Sequence, residues 1–316
     1  MADIALFSAP KPFTDPHIGM IQCNAIRSWK ALGENVDVLL LGEEDGLAQA
    51  ADTLQVKHIP DIQRASSGAP LISSMLEQVR KNSNATILVI INADIILLPG
   101  FIAAIQAVDA LASAYLIMGH RWDLDLREEI TFQPGWETSL EAQIKQSGRL
   151  HKSKGSDYFA FRRECYDPYP PFTIGRAGWD NWTIFHARKM GWQVIDATAD
   201  IRIIHQKHDY QHLPGGKIHY DHPESDENLR LAGGKRHIFT LLDANKVLVD
   251  GRIQPYPVST QKLIREFETL PVLHTENRFL MDVFFYLTHP VKFIRHKLPW
   301  MAKLLGISRR QESEEY

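Results

Sequence analysis

The stretch of sequence that decides the fold is residues 86–94, Thr86-Ile87-Leu88-Val89-Ile90-Ile91-Asn92-Ala93-Asp94. Its first six residues are apolar or β-branched without interruption, which predicts a strand covered on both faces. Asn92 then ends the strand. A carboxylate such as Asp94 at the exposed end of a buried strand is costly for packing and well suited to binding a divalent cation. An Asx turn that merely ends the strand is the other interpretation, and the pattern leaves both open.

Strand-like and helix-like segments alternate on both sides of this stretch. Before it, the pattern predicts strands at residues 4–7, 36–41 and 56–59, one helix after Asp15-Pro16 and another opened by Pro70. After it, a helix at residues 101–111 leads to a strand at residues 115–118. Such alternation is typical of a doubly wound α/β sheet, in which ligands bind beyond the carboxyl ends of the strands.

The composition is that of a soluble globular protein. The chain has 316 residues, of which 44% are hydrophobic and 23% charged, and its net charge of −3 does not indicate a nucleic-acid partner. Only two cysteines occur, Cys23 and Cys165, which excludes a disulfide scaffold and fits a reducing compartment. No segment is long and apolar enough to predict a membrane span, so we expect a cytoplasmic protein.

An acidic residue between two tryptophans opens a predicted helix at residues 182–190 in the second half of the chain. The motif is Gly178-Trp179-Asp180-Asn181-Trp182. Asp180 would lie at or near the helix N-cap, where free N–H groups and the helix dipole keep a carboxylate ionised. An ionised, positioned carboxylate can accept a proton from a hydroxyl group. A plain N-cap beside two core tryptophans is the alternative.

Histidines are frequent in the segment 205–235, which has the composition of a loop-rich region. His205 follows a predicted strand at residues 201–204 and is a candidate metal ligand through a neutral imidazole. The other histidines nearby are His208, His212, His219 and His222, and surface imidazoles on a polar loop would explain most of them equally well. A zinc-dependent hydrolase built on His205, His208 and His212 is one alternative that this cluster leaves open.

Taken together and in this order, three of these motifs resemble the GT-A class of nucleotide-sugar-dependent glycosyltransferases, family-2-like. Asn92-Ala93-Asp94 resembles the DxD motif with Asn in the first position, Trp179-Asp180-Asn181 resembles the acidic acceptor-side motif, and His205 resembles the histidine that completes the metal site. The resemblance covers residues 1–235. It implies a GT-A-type, doubly wound (Rossmann-like) mixed sheet with a donor-binding half at residues 1–118 and an acceptor and metal half at residues 119–235.

The resemblance also implies the reaction and the role of each site residue. A sugar would pass from a nucleoside-diphosphate sugar to a hydroxyl of a glycan or glycolipid, with Asp180 as the base of an inverting reaction and Mn²⁺ or Mg²⁺ held by Asp94 and His205. The implied donor contacts are Pro10, Lys11, Glu43, Arg64, Gly68, Asn92, Ala93, Asp94, Gly155 and Ser156. The implied acceptor contacts are Trp122, Asp123, Asp157, Trp179 and Asn181. A non-catalytic sugar-binding protein on the same fold is a further alternative.

The remaining segment, residues 236–316, is predicted to be a mainly helical extension. No acidic residue occurs between Asp282 and Glu312, while basic residues alternate there with aromatic and aliphatic ones. This composition is typical of a surface that lies on anionic lipid at the membrane. Apolar residues that pack back on the catalytic core would give the same pattern, so both interpretations stand at this point.

Overall fold

The computed structural model describes residues 3–152, 156–208 and 222–304. Its strands are β1 (Ile4–Ser8), β2 (Val36–Leu41), β3 (Lys57–Ile59), β4 (Ile87–Ile91), β5 (Ile95–Leu97), β6 (Tyr115–Met118), β7 (Arg121–Leu124), β8 (Arg149–Leu150), β9 (Tyr158–Arg162), β10 (Gln193–Asp196), β11 (Ile203–Gln206), β12 (Lys246–Val249) and β13 (Arg252–Pro255). Its helices are α1 (Pro16–Lys30), α2 (Leu47–Leu54), α3 (Ile72–Asn82), α4 (Gly100–Asp109), α5 (Trp136–Ser147), α6 (Trp179–Lys189), α7 (Pro223–Leu231), α8 (Thr260–His274), α9 (Arg278–Thr288), α10 (Pro290–Lys297) and α11 (Pro299–Leu304).

A mixed sheet of nine strands forms the centre of the fold, in the order β13-β12-β10-β6-β9-β4-β1-β2-β3. β1, β2, β3 and β4 are parallel to one another, whereas β9 runs antiparallel to both of its neighbours, β4 and β6. β4 is buried along its whole length, as its apolar run predicts. The predicted α/β class with a mixed sheet is therefore confirmed.

A second, smaller sheet has the order β5-β11-β7-β8, and its strand β5 follows directly after β4 of the first sheet. Alternate residues of a strand face opposite sides, and here each side has its own core. Ile95 and Leu97 face the main core, while Ile96 packs with Ile204 in a smaller core under α5. The turn between β4 and β5, which contains Asp94, therefore lies where the two sheets meet.

Three local predictions differ from the structure. α6 begins at Trp179 rather than at residue 182, because Gly178 takes a left-handed conformation (φ 108°) and serves as the N-cap. Asp180 is consequently in the first helical turn. β11 runs to residue 206, so that His205 lies within the strand. The segment predicted to be loop-rich contains α7, which Pro223 opens as its first residue.

The chain forms two compact units, residues 1–256 and 257–316. β12 and β13 fall in the segment predicted to be a helical extension, yet β12 pairs with β10 and both belong to the central sheet. The second unit consists of α8 to α11. None of the helices in the described ranges has the length and apolar character needed to span a membrane.

Candidate active site and metal centre

Asp94, His205 and His208 form a cluster at the junction of the two sheets. Asp94 lies in the turn after β4, where the Ile95 N–H donates to the Asn92 carbonyl at 3.1 Å. His205 projects from β11, and His208 follows two residues after that strand ends. One ligand atom from each of the three side chains lies within 4.8 Å of the other two. The structure thus brings together the two predicted metal ligands and adds a third, His208.

The Asp94 carboxylate has the properties expected of a cation ligand. Its Oδ2 atom is 3.0 Å from Nε2 of His208 and 3.9 Å from Nε2 of His205. Its Oδ1 atom is buried and has no hydrogen-bond partner among the described residues. Burial alone would raise the pKa of Asp94, but the hydrogen bond with His208 and the nearby His205 and Lys11 side chains hold it well below the ordinary value. One carboxylate and two imidazoles can bind a divalent transition-metal ion, and the Oδ1 atom, which has no partner among the described residues, offers such an ion a further acceptor.

Lys11 approaches the same cluster from the loop after β1. Its Nζ atom is 3.3 Å from Nε2 of His208, the nitrogen that also faces Asp94. A single imidazole nitrogen cannot accept from the ammonium and donate to the carboxylate at once. Burial lowers the pKa of Lys11, while the charge of Asp94 acts in the opposite direction. A cation bound between Asp94 and His208 would resolve this conflict, because both groups would then offer it lone pairs.

The amide of Asn92 explains why the first position of the DxD-like motif is not an aspartate. Its Nδ2 atom donates to Oδ1 of Asp157 at 2.9 Å. An aspartate at this position would place a second carboxylate against Asp157, which is only 5% exposed. Asp157 would also lose the hydrogen bond that it accepts from the Asn92 amide. Asn92 therefore links the turn after β4 to Asp157.

Arg121 joins two of the carboxylates that the sequence analysis assigned to the acceptor side. Its guanidinium donates from Nε to Oδ1 of Asp123 at 3.0 Å and from NH1 to Oδ1 of Asp157 at 2.7 Å. Oδ2 of Asp157 is buried, and none of the residues that the structure describes gives it a hydrogen bond. Burial alone would raise the pKa of Asp123, yet hydrogen bonds from His205 and His151 and the charge of Arg121 hold it below its ordinary value. Sequence reasoning missed Arg121, since nothing in the motif pattern singles out this arginine.

A second polar cluster lies at the end of β2. Arg64 donates from NH1 to Oε1 of Glu44 at 2.8 Å and to the Gly68 carbonyl at 2.7 Å. Oε2 of Glu44 and NH2 of Arg64 are buried and have no hydrogen-bond partner within the described part of the chain. An adjoining cavity of about 400 Å³ is lined by Glu43, Glu44, Asp45, Gly46, Ala48, Gln49 and His58. Glu44 is a residue that the sequence analysis did not select.

These two clusters lie at the same side of the central sheet, beyond the carboxyl ends of its parallel strands. β1 separates β4 from β2, and all three strands are parallel, so their carboxyl ends and the loops that follow them point the same way. Lys11 lies in the loop after β1, between the Asp94 turn and the Glu44 turn. An extended ligand can therefore reach from one cluster to the other across this loop.

Asp180 lies in the first turn of α6 with a perturbed acidity. Burial raises its pKa, backbone N–H groups of Gly178 and Asn181 lower it, and the charge of Asp157 raises it again, to about 6. Asp157 and Asp180 are thus within electrostatic range of each other. A carboxylate whose pKa is near 6 is ionised at neutral pH and still basic enough to take up a proton.

The other predicted site residues have varied surroundings. Trp179 packs edge-on against Phe159 at 5.5 Å, and Asn181 donates to the Phe239 carbonyl at 2.7 Å. Trp122 packs against the smaller core, on the side of β7 opposite Asp123. Pro10 and Ala93 are buried, Ser156 is partly exposed, and Gly155 lies outside the described residues.

No protein-family model and no curated protein matches the chain. Solved structures do match. One is the mannosyltransferase PcManGT from Pyrobaculum calidifontis, in complex with GDP-Man and Mn²⁺, at 14% identity and a TM-score of 0.42, over 66% of this chain and 58% of that one.

A second is S. aureus TarS in complex with UDP-GlcNAc, at 12% identity and a TM-score of 0.46, over 73% of this chain and 65% of that one. A third is the M. tuberculosis glucosyl-3-phosphoglycerate synthase in complex with Mn²⁺, UDP and glucosyl-3-phosphoglycerate, at 12% identity and a TM-score of 0.42, over 82% and 88%. These three neighbours, each in complex with a nucleotide sugar or a nucleoside diphosphate, are of the class that the sequence motifs resemble.

The His208 imidazole provides a direct test of the metal centre. We expect His208→Ala to weaken Mn²⁺ binding at least tenfold, because a site with three protein ligands loses one of them. Titration of the free protein with Mn²⁺, followed by electron paramagnetic resonance, measures the dissociation constant. His274→Ala is the matched control, since His274 is an exposed histidine in the second unit. Equal affinities for the two variants would remove His208 from the site.

Proposed function

We propose that the chain transfers a sugar from a nucleoside-diphosphate sugar to a hydroxyl group of a glycan or glycolipid. The observation that carries this proposal is the meeting of Asp94, His205 and His208 at the junction of the two sheets, with one oxygen of Asp94 buried and unpartnered. This donor set can hold a divalent cation such as Mn²⁺, which when bound would neutralise the charge of a leaving diphosphate. We propose that the first unit carries catalysis.

The nucleotide-sugar donor would bind across the carboxyl ends of the parallel strands of the central sheet. Lys11 supplies a positive charge beside the metal cluster and would contact the diphosphate. The unpartnered atoms of Glu44 and Arg64 offer one acceptor and one donor to the nucleoside part. We propose that Glu43 and Gly68 complete this pocket, since both flank the Arg64 guanidinium.

Asp180 would serve as the catalytic base. Its carboxylate would accept the proton of the acceptor hydroxyl while the hydroxyl oxygen bonds to the anomeric carbon and the bond from that carbon to the diphosphate oxygen breaks. Attack opposite the leaving group inverts the anomeric centre. The Oδ2 atom of Asp157 is buried without a hydrogen-bond partner among the described residues, and the charge of Asp157 acts on Asp180, so this atom would accept a hydrogen bond from a sugar hydroxyl beside the base. Trp179 would form the apolar wall of the acceptor side.

The same three metal ligands also favour one competing activity. One carboxylate with two imidazoles is a common donor set of catalytic zinc, so a zinc-dependent hydrolase remains the second candidate. Its third predicted histidine, His212, lies outside the described residues. Metal content separates the two candidates, because tight stoichiometric zinc in the purified protein favours hydrolysis and a requirement for Mn²⁺ or Mg²⁺ favours transfer.

Donor binding tests the proposed activity as a whole. We expect one of UDP-, GDP-, dTDP- and CMP-sugars to raise the melting temperature in the presence of Mn²⁺, because a ligand at 100 times its dissociation constant adds roughly 2.7 kcal/mol to the free energy of unfolding. Asp94→Ala should abolish both the metal-dependent shift and turnover. A variant that kept the shift and the turnover would show that Asp94 is not a metal ligand.

The acidity of Asp180 predicts the pH profile of turnover. Because its pKa is about 6, turnover should fall as the pH drops below 6, where the base becomes protonated. Asp180→Asn should reduce turnover by about 10²- to 10⁴-fold and remove this acidic limb. Asp180→Asn should raise rather than lower stability at pH 7, since the raised pKa means that the folded state disfavours the charged carboxylate at that pH and the neutral amide carries no such cost.

Glu137→Gln is the matched control for Asp180→Asn. Glu137 also lies in the first turn of a helix that follows a left-handed glycine, Gly135. We expect this variant to keep normal turnover and the normal pH profile. A folded Asp180→Asn protein with near-normal turnover would reduce Asp180 to a helix-terminal carboxylate.

We further propose that the second unit attaches the enzyme to the cytoplasmic face of an anionic membrane. Its large apolar side chains are strongly exposed, with 73% of Phe279, 65% of Leu287 and 65% of Trp300 accessible. The helices α9 to α11 also carry basic residues and only one acid, Asp282. Exposed aromatic residues beside cations suit the boundary between lipid headgroups and acyl chains. A lipid-linked acceptor would then be presented to the enzyme at this surface.

Vesicle co-sedimentation tests the membrane proposal. The full-length protein should pellet with anionic vesicles at low salt and be released as the salt concentration rises. Replacing Lys292, Arg295 and Lys297 together by Glu should weaken binding by at least on the order of 10²-fold, since each basic residue contributes about 1 kcal/mol near such a surface. The control replaces three exposed lysines of the first unit, Lys57, Lys81 and Lys152, by Glu. Wild-type protein that stays in the supernatant would contradict the proposal.

A further inference from the structure

We infer that Asp123 is a positioning residue that holds His205 with its Nε2 lone pair facing Asp94. The observation is a direct contact, since Nδ1 of His205 lies 3.0 Å from Oδ1 of Asp123. The inference rests on the metal site of the proposed function, but it concerns only residues of this chain. It gives Asp123 a role different from the acceptor contact that the sequence analysis expected.

Strand register sets up the contact. β11 runs parallel to β7, and His205 is the direct neighbour of Asp123 in this pairing. On its other side, β11 pairs antiparallel with β5, where His205 is opposite Ile95, the residue that follows Asp94. Neighbouring residues on paired strands point to the same face of the sheet. The His205 imidazole is therefore held between the two carboxylates by backbone pairing.

The protonation state of the imidazole follows from the chemistry of its partner. An ionised carboxylate can only accept hydrogen bonds, so Nδ1 of His205 must carry the proton in the contact with Asp123. In a neutral imidazole, Nε2 then has a free lone pair. That atom is 3.9 Å from Oδ2 of Asp94, a gap in which one cation can contact both atoms. Metal-bound histidines commonly donate their other N–H to a carboxylate in this way.

Asp123 is itself held in place by three donors. Oδ1 also accepts from Nε of Arg121 at 3.0 Å, and Oδ2 accepts from Nδ1 of His151 at 2.9 Å. The His151 carbonyl in turn lies 2.7 Å from Nδ1 of His120. The Asp123 side chain is only 13% exposed, so its charge and orientation are fixed by these neighbours rather than by water. A carboxylate fixed on both oxygens can impose one orientation and one tautomer on His205.

The first experiment examines the imidazole of His205 without any metal. Long-range ¹H–¹⁵N spectra of the metal-free protein report which ring nitrogen carries the proton, and His205→Gln assigns the signals. We expect the wild-type protein to show a protonated Nδ1 and an unprotonated Nε2, and Asp123→Ala to show a mixture of both tautomers. A wild-type His205 that carries its proton on Nε2 would overturn the inference without reference to any variant.

The second experiment measures Mn²⁺ binding in the absence of nucleotide sugar. Asp123→Ala should raise the dissociation constant by 10- to 100-fold, the usual effect of losing such a partner. Asp123→Asn keeps the size of the side chain and one accepting oxygen, so its effect should be smaller, and this variant decides the matter if Asp123→Ala does not fold. Asp125→Ala is the matched control, because Asp125 is exposed and pairs with Arg127 outside the cluster. Folded Asp123 variants with wild-type affinity would contradict the inference.

The two experiments separate this inference from the proposed function. A wild-type protein that shows the expected tautomer but binds no Mn²⁺ would contradict the metal site and leave the contact between Asp123 and His205 established. A wild-type protein that binds Mn²⁺ while the Asp123 variants bind it equally well would support the metal site and refute the positioning role. Turnover at saturating Mn²⁺ should recover in Asp123→Asn, because that variant loses affinity rather than chemistry.

Discussion

The constraint on which the rest of the site depends is the compensation of buried negative charge where the two sheets meet. Asp94, Asp123 and Asp157 are all nearly inaccessible to water, and an isolated ionised carboxylate in such a place is strongly unfavourable. Arg121 neutralises two of the three by contacting both. Imidazoles and Lys11 surround Asp94 instead, and one of its oxygens stays unpartnered. The incomplete compensation at Asp94 is what makes this position suited to a cation.

The framework that holds these charges is apolar. β4 and β1 are buried along their whole length at the centre of the large sheet, and Trp29 of α1 donates to the Ile95 carbonyl at 2.8 Å beneath the Asp94 turn. A helix and two strands thus fix the backbone on either side of Asp94. Rigid elements position side chains more accurately than loops do, which matters for groups that must share one ion.

A physical separation of tasks follows from the two-sheet arrangement. Lys11, Asp94 and the Glu44 turn follow the carboxyl ends of parallel strands in the large sheet. In the proposed function, a long anionic ligand would bind across these ends. The small sheet presents Asp123 and His205, whose pairing depends on the register of β7 and β11. α6 contributes Asp180 through its first turn. The large sheet, the small sheet and α6 therefore each contribute different side chains to the candidate site, and the site depends on all three.

The sequence by itself determined the local features that depend on neighbouring residues. The apolar run 86–91 specifies a buried strand, and Asp15 caps α1 with hydrogen bonds to His17 and Ile18, as its position before Pro16 predicts. Asp94 and His205 were proposed as ligands from their places at predicted strand ends together with the family resemblance, and the structure brings the two side chains together.

Only the tertiary structure decided which distant side chains meet. His208 joins Asp94 across 114 positions of the chain, and Arg121 reaches Asp157 across 36. Such contacts depend on how strands of separate sheets pair, and pairing over long separations leaves no periodic signal in the sequence. The pKa of Asp180, the contact between Asp123 and His205, and the membership of β12 and β13 in the central sheet all arise in this way, because each depends on packing between segments far apart in the chain.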